Sequence, residues 1–474
     1  MSARAPSRAA AGSRLPALAV LGALLVGGGL VDRATRPDRE ATEVATGRRL
    51  MPTAAPAGSL SSTWYCAGAT GAPATLVLAN TGSTDVSGRV SVMSTGGPPV
   101  GASVAVPAQG SSSLQLTDLA AGPLAAVVDL DAGQVAAELV VGGPRDSEVT
   151  PCASSASDRW YLADGSTAKD ATLSLSLFNP FPEDAIADLS FSTDQGRAVP
   201  ADFQGIVVPG RSLVVTPVGE HVRRRESVAT EVHARSGRLV VVQHQARDVP
   251  GRAGVSVTLA APATGTEWYF AEGTNGPGLV ERFTVFNPGA GEATVLVQVD
   301  PDEGVVEPFE RVVPARGQLQ LVLDDQTGVP AGMPHATTIS SLSGPPVVVS
   351  RAIEGTPPSS KIGRADTMGA RRPTTAWVFP AGGSDRVDEW IMVANPGEVP
   401  AEISLSLLAG GRETPVPGPP LPVLEPGRRQ SIPLDRSVVA PTVSVVVRAT
   451  APVVAERALY GAPGLSATVG IALG

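Results

Sequence analysis

Four of the chain's five tryptophans open one recurring phrase, and a phrase copied at domain spacing constrains a fold more tightly than any single window. The copies read Trp64-Tyr65-Cys66-Ala67-Gly68, Trp160-Tyr161-Leu162-Ala163-Asp164-Gly165, Trp268-Tyr269-Phe270-Ala271-Glu272-Gly273 and Trp377-Val378-Phe379-Pro380-Ala381-Gly382-Gly383, at intervals of 96, 108 and 109 residues. A unit of about 100 residues is large enough to hold its own core. The spacing divides the chain into repeats over 61–157, 158–265, 266–374 and 375–474.

Within each repeat the same events recur in order. A short apolar run ends at Asn80, Asn179, Asn287 or Asn395, the last three followed by proline. Asparagine bonds its own backbone in turns and proline cannot continue a central ladder, so a strand stops there. An alternating stretch such as Ile403-Ser404-Leu405-Ser406-Leu407 follows, then a glycine turn at Gly97, Gly196, Gly304 or Gly411. That is a half-buried strand entering a hairpin. The last apolar run reads Val240-Val241-Val242, Val347-Val348-Val349 or Val453-Val454-Ala455. With 52 Gly and 44 Pro and no amphipathic helix, the expected class is all-β. The repeats read as four tandem immunoglobulin-like antiparallel β-sandwiches. The alternative is a β-propeller with two blades per repeat. Sequence favours separate sandwiches. Copies fused around one central axis would remove the reading of the chain as a passive scaffold.

Cys66 lies in the first motif and Cys152 closes the same repeat, so a disulfide between them would staple the repeat's ends. Such a bond implies an oxidising compartment; two separate buried thiols are the alternative. Leu15 to Val31 is an unbroken apolar or glycine stretch of 17 residues flanked by Arg4, Arg8 and Arg14. It reads as a single membrane anchor after a cytoplasmic 1–14, or as a signal peptide that is cleaved. Residues 32–60 read as a flexible polar linker, and the bulk of the chain as extracytoplasmic.

These residues resemble a family of exported, membrane-anchored actinobacterial proteins of unknown function, built on a Trp-Tyr-Phe-Ala-Glu-Gly repeat with a later Asn-Pro and a Val-Val-Ala-Glu-Arg strand. Repeat three carries the fullest opening, Trp268 to Gly273 with Asn287-Pro288, and repeat four the fullest closing run, Val453 to Arg457. Repeat one departs most, with Gly68 for the acid and Asn80-Thr81 for Asn-Pro. The resemblance implies an extracytoplasmic repeat protein and brings no catalytic residues.

The motif's acidic position reads Asp164 and Glu272 in repeats two and three and glycine in the others, and the base matched to Arg351 reads His244 in repeat two, Leu139 in repeat one and Arg457 in repeat four. This suggests structural ion pairs across strands, Glu272 with Arg351 and Asp164 with His244, that fix register. One tryptophan per repeat, in a chain with 4% aromatics, reads as a core pin rather than a sugar platform. Trp390, outside the motif, reads as the surface aromatic.

Asp300-Pro301-Asp302-Glu303-Gly304 lacks the later glutamate of a calcium loop and reads as a solvated turn. His221, His233, His244 and His335 are scattered, and no nucleophile elbow, zinc motif or phosphate loop occurs. No catalytic residue, cofactor or metal is assigned. The longest basic run, Arg223-Arg224-Arg225, is a solvated loop, and a net charge of -9 without a basic block argues against nucleic acid. The expectation is a non-enzymatic scaffold or interaction protein of the cell envelope, held through residues 15–31, with envelope proteins or wall glycan as partners. A glycan-binding protein and an envelope enzyme with a site shared between repeats are the alternatives.

Overall fold

The computed structural model describes residues 50–474 apart from 144–145, 249–253, 324–327, 384–386, 435–442 and 462–463. The described residues are strands joined by turns, antiparallel except for one parallel pair, with three single-turn 3-10 helices at 116–118, 201–203 and 218–220. Among them no helix is long and apolar enough to cross a membrane, and the stretch 15–31 lies outside them.

Repeats one and three each supply two four-stranded sheets, repeat two a five-stranded and a four-stranded one, and in repeat four the two halves are joined into a nine-stranded sheet; the pattern is plainest in repeat three. One sheet runs Glu267–Phe270, His335–Ser343, Ala293–Pro301, Phe309–Val313 in spatial order, and the other Gly317–Val322, Leu279–Asn287, Val348–Gly355, Gly363–Met368. The sheets enclose one core: Phe270 and Phe283, one from each, meet edge-on with centroids 4.9 Å apart. Four strands recur in every repeat. The motif strands are Ser62–Thr70, Arg159–Leu162, Glu267–Phe270 and Thr374–Phe379. The asparagine strands are Ala74–Asn80, Ala171–Asn179, Leu279–Asn287 and Asp388–Asn395. The valine strands are Val135–Gly143, Val240–Arg247, Val348–Gly355 and the second half of Ser444–Gly461, a strand that runs through both halves of repeat four. The closing strands are Asp146–Pro151, Gly254–Leu259, Gly363–Met368 and Gly464–Val469.

The repeats are not independent beads. Their closing strands lie side by side in cyclic order, one with two, two with three, three with four and four with one, so the chain closes a ring around a single axis. Hydrogen bonds cross between these strands: Thr258 Oγ1 donates to Asp366 O at 3.2 Å, Thr367 Oγ1 to Ala467 O at 2.7 Å and the Val149 amide to Ser466 Oγ at 3.2 Å. Apolar cores also run across repeat boundaries, so each boundary is buried on both sides. The expectation of separate sandwiches is therefore corrected in its arrangement: two layers per repeat, but copies fused around an axis.

The ring is sealed by its own ends. Thr53–Ala54 pairs in parallel with Ile471–Leu473, which pairs in turn with the fourth motif strand. The Gln134 amide donates to Ala55 O at 2.7 Å, tying the same segment to repeat one. Residues 50–56, expected within the flexible linker, thus belong to the ring, with Ala54 fully buried.

Candidate functional site

The motif is the joint between repeats. Because side chains alternate along a strand, its first and third residues face the repeat's own core and its second and fourth face the neighbour. Trp64, Trp160, Trp268 and Trp377 are at most 2% exposed. Each indole N–H donates to the carbonyl that opens the valine strand: Val135 at 2.9 Å, Leu239 at 2.8 Å, Val347 at 3.1 Å and Val453 at 2.9 Å. That bond ties the two sheets of one repeat, as expected of a core pin. The following residue points the other way. Tyr65 meets Phe181 of repeat two, Tyr161 enters the core of repeat three, Tyr269 that of repeat four and Val378 that of repeat one.

The four asparagines behave alike. Each Nδ2 donates to the carbonyl four residues on, Thr84, Glu183, Gly291 or Val399, at 2.7–2.8 Å. Each Oδ1 accepts the amide two residues on, from Gly82, Phe181, Gly289 or Gly397. Such a turn satisfies its own polar groups while buried. Cys66 and Cys152 form the disulfide, with Cα atoms 4.5 Å apart.

The ion pairs differ from expectation. The indole bonds set a common register in which Arg351, Arg457, Leu139 and Gln243 each stand four residues beyond the accepted carbonyl. His244 is one residue further, on the opposite face, and bonds Ser176 Oγ at 3.1 Å rather than Asp164. The acidic position in repeat four is Ala381, not glycine, by the same register. Arg351 meets the main-chain carbonyl of Glu272, not its carboxylate. The carboxylates reach across the joints. Asp164 pairs with Arg364 of repeat three at 2.7 Å; Glu272 accepts Tyr460 Oη of repeat four at 2.6 Å and lies 3.4 Å from Arg429.

Three positions decide each joint: six before the asparagine, four beyond the indole's acceptor, and three beyond it in the next repeat. At joint 1–2 they are Ala74, Leu139 and Val242; at joint 2–3, Leu173, Gln243 and Ser350; at joint 3–4, Glu281, Arg351 and Glu456; at joint 4–1, Glu389, Arg457 and Glu138. Polarity therefore changes as a set. Arg351 lies 2.9 Å from Glu456 and Arg457 3.1 Å from Glu138, all at most 1% exposed. Glu456 also accepts the Glu272 amide at 2.9 Å, and Glu138 the Ala381 amide at 2.7 Å. At joint 1–2 a Cβ on Gly68 would touch Val257, Val242 and Leu139, so that joint closes on apolar groups.

Burial sets the protonation of these groups. It pushes Glu389 up to about 7, against the lowering influence of Arg457 and the Gly383 amide, with Glu138 raising it further. Burial likewise holds Glu138 and Glu456 above the usual carboxylate range despite their arginines. It lowers the His244 imidazole to about 4. Glu272 lies below its ordinary value: burial raises it, but Arg429, Lys361 and Arg351 outweigh that. In repeat three His335 Nε2 lies 2.7 Å from Glu281, both fully buried. Burial alone would lower that imidazole, and Glu281 reverses the direction. The motif's glycine makes room here, since a Cβ on Gly273 would fall 2.5 Å from the His335 ring and one on Gly382 2.2 Å from Glu389.

The remaining candidates are ordinary. Trp390 is half-buried against the fourth core. Asp302 accepts from Arg429 at 3.1 Å across joint 3–4. His221 lies 3.1 Å from Asp202 at the surface, and Arg223 and Arg224 are exposed. Among the described residues no cluster of three or more His, Cys, Asp and Glu is arranged to hold a metal.

Sequence reasoning missed the axis. Thr150, Thr258, Thr367 and Thr468 occupy matching places on the four closing strands and line a cavity of about 80 Å³ at one end of the ring, beside Met51. Their signal was available, because three of them stand ten residues before the next motif tryptophan. It also missed a second cavity, of about 400 Å³, between repeats one and two.

The crystal structure of Thermotoga maritima 1070 is 19% identical, covering 23% of this chain and 94% of that one at a TM-score of 0.21. That of Streptomyces avermitilis alpha-L-rhamnosidase complexed with L-rhamnose is 11% identical, covering 69% of this chain and 44% of that one at a TM-score of 0.14. Likenesses this shallow bear on neither fold nor ligand. No curated protein matches the chain. A family of unknown function (DUF5719) matches residues 132–350, a window from the first valine strand into the third, and it is to this family that the chain is similar.

Proposed function

We propose that the protein is a non-enzymatic, extracytoplasmic interaction platform of the cell envelope, built from four sandwich-like repeats and held to the membrane through residues 15–31. The observation that carries this reading is how the motif is used: in every copy its side chains serve the core or the joint. The buried disulfide supports an oxidising compartment. A passive scaffold is not proposed, because the copies share cores around one axis. What is proposed is a compact ring whose loops and outer edge strands meet a partner. Burial of the four motif tryptophans favours protein over glycan as that partner, since a row of exposed indoles would be the expected glycan platform. The test is in-cell crosslinking of the full chain, followed by recovery from solubilised envelope with and without prior digestion of wall glycan. A protein partner that survives digestion supports the platform. Recovery that depends wholly on glycan overturns it in favour of the glycan-binding reading.

A further inference from the structure

The four joints carry equivalent positions, so an opening at one of them demands a local cause. Beyond the residues already compared, joints 2–3 and 3–4 are filled by a cross-strand pair joining the valine strand to the closing strand, while at joint 4–1 the same places hold Gly142 and Ser147. In repeat three this pair is Glu354 with Arg364, and in repeat four Tyr460 with Leu465. Arg364 reaches back to Asp164 of repeat two, and Tyr460 to Glu272 of repeat three. In repeat two the same pair is Ala246 with Val255, and the residue it would reach in repeat one is Gly68. Neither Ala246 nor Val255 carries a charged or aromatic side chain, and both line a cleft of about 400 Å³.

The walls define what fits. Thr172, Ser174 and His244 lie on the face of repeat two turned toward repeat one, and Thr70 and Glu148 line the cleft with them over a floor that includes Val257. The hydroxyls of Thr70, Thr172 and Ser174 both donate and accept hydrogen bonds and Glu148 accepts them, while the lining holds no lysine or arginine to attract an anion. Glu148 already accepts from Ser466 Oγ at 3.3 Å. The volume falls in the range of about 300–1,000 Å³ usual for small-molecule sites. We infer that the cleft between repeats one and two binds a small, neutral, polyhydroxylated molecule the size of a single sugar unit. This goes beyond the platform reading, and either can fail without the other.

The test uses the full chain with glucose and N-acetylglucosamine as probes, read by saturation-transfer NMR and calorimetry, with ethanolamine as a cationic control. The variant A246E/V255R copies the filler pair of repeat three into the cleft and should weaken sugar binding by about tenfold or more. Thr172→Val, at an exposed strand position, should weaken it by about three- to tenfold, the worth of one hydrogen bond, with the melting midpoint unchanged. The milder variant decides the matter if the filled one does not fold. No saturation transfer to wild type at about 10 mM sugar, equal transfer to wild type and both variants, or binding of ethanolamine in place of sugar would each overturn the proposal.

Discussion

Joints 1–2 and 4–1 bring equivalent strands together around one axis, yet they are built from opposite materials. The first closes on Ala74, Leu139, Val242 and Gly68, while the second buries Glu389, Arg457 and Glu138. A buried ion pair gains little over a well-packed apolar contact of similar volume, but breaking it is costly because one charge is left without its partner. The comparison therefore separates tolerance from strength. The apolar joint should accept substitution and leave room for a cleft, whereas the ionic joint should fail when any one member is changed.

The sharpest way to break this comparison is Arg457→Met, which strands two carboxyl groups in the closure of the ring. It should cost about 3–5 kcal/mol by urea unfolding, and Glu138→Gln with Glu389→Gln in the same chain should recover most of the loss. A single-variant cost below about 1 kcal/mol would mean the pair is solvated. Leu139→Met at the apolar joint, a nearly volume-conserving change, should cost under about 1.5 kcal/mol. Replacing Cys66 and Cys152 by alanine comes next. The bridge spans 86 residues beside joint 1–2, and its loss should cost roughly 4.6 kcal/mol by the loop-closure relation, seen as a lower denaturation midpoint in the unreduced protein.

The two joints should also respond to pH with opposite slopes. Unfolded His244 takes up a proton near pH 6.5 but folded His244 only near 4, so the stability it contributes is present above 6.5 and is lost as pH falls through that window. Folded Glu389 keeps its proton up to about pH 7, whereas the unfolded carboxyl releases it near 4.5. Its stability is therefore present at pH 4.5 and lost as pH rises toward 7 and beyond. Each contribution is on the order of 3 kcal/mol. Comparing unfolding of His244→Gln and Glu389→Gln with wild type from pH 4 to 8 should flatten the acid limb in one case and the neutral limb in the other. Parallel curves for wild type and Glu389→Gln would show that this carboxyl is already ionised in the fold. The asparagine turn is a local matter: Asn80→Ala and Asn395→Ala should each cost about 1–3 kcal/mol, alike in both repeats. A large difference between them would tie the turn to the joint after all.

Much of this was legible before any coordinates. Tryptophan pins, asparagine stops and the Cys66–Cys152 bond are short-range or repeated four times, so alignment of the copies amplified them. The partners of Asp164, Glu272 and Arg351 were not legible. An acid and a base aligned in repeats two and three suggested pairing inside a repeat, but the indole register puts Gln243 rather than His244 at that place, and the carboxylates pair across the joints. His244 shows a second limit, since a shift of one residue along a strand reverses the face, and only the indole bonds fixed the register. The axial threonines were visible as a spacing but had no meaning until the closing strands were seen together.

What sequence alone determined, then, is the content of one repeat: alternating apolar residues choose a two-sheet core, and turn residues choose where strands end. What only the tertiary structure decided is closure. Whether four copies string out or turn back on themselves depends on the angle at which one repeat's outer face meets the next. That angle comes from many weak side-chain contacts between residues as far apart as Glu138 and Arg457, which no local pattern encodes.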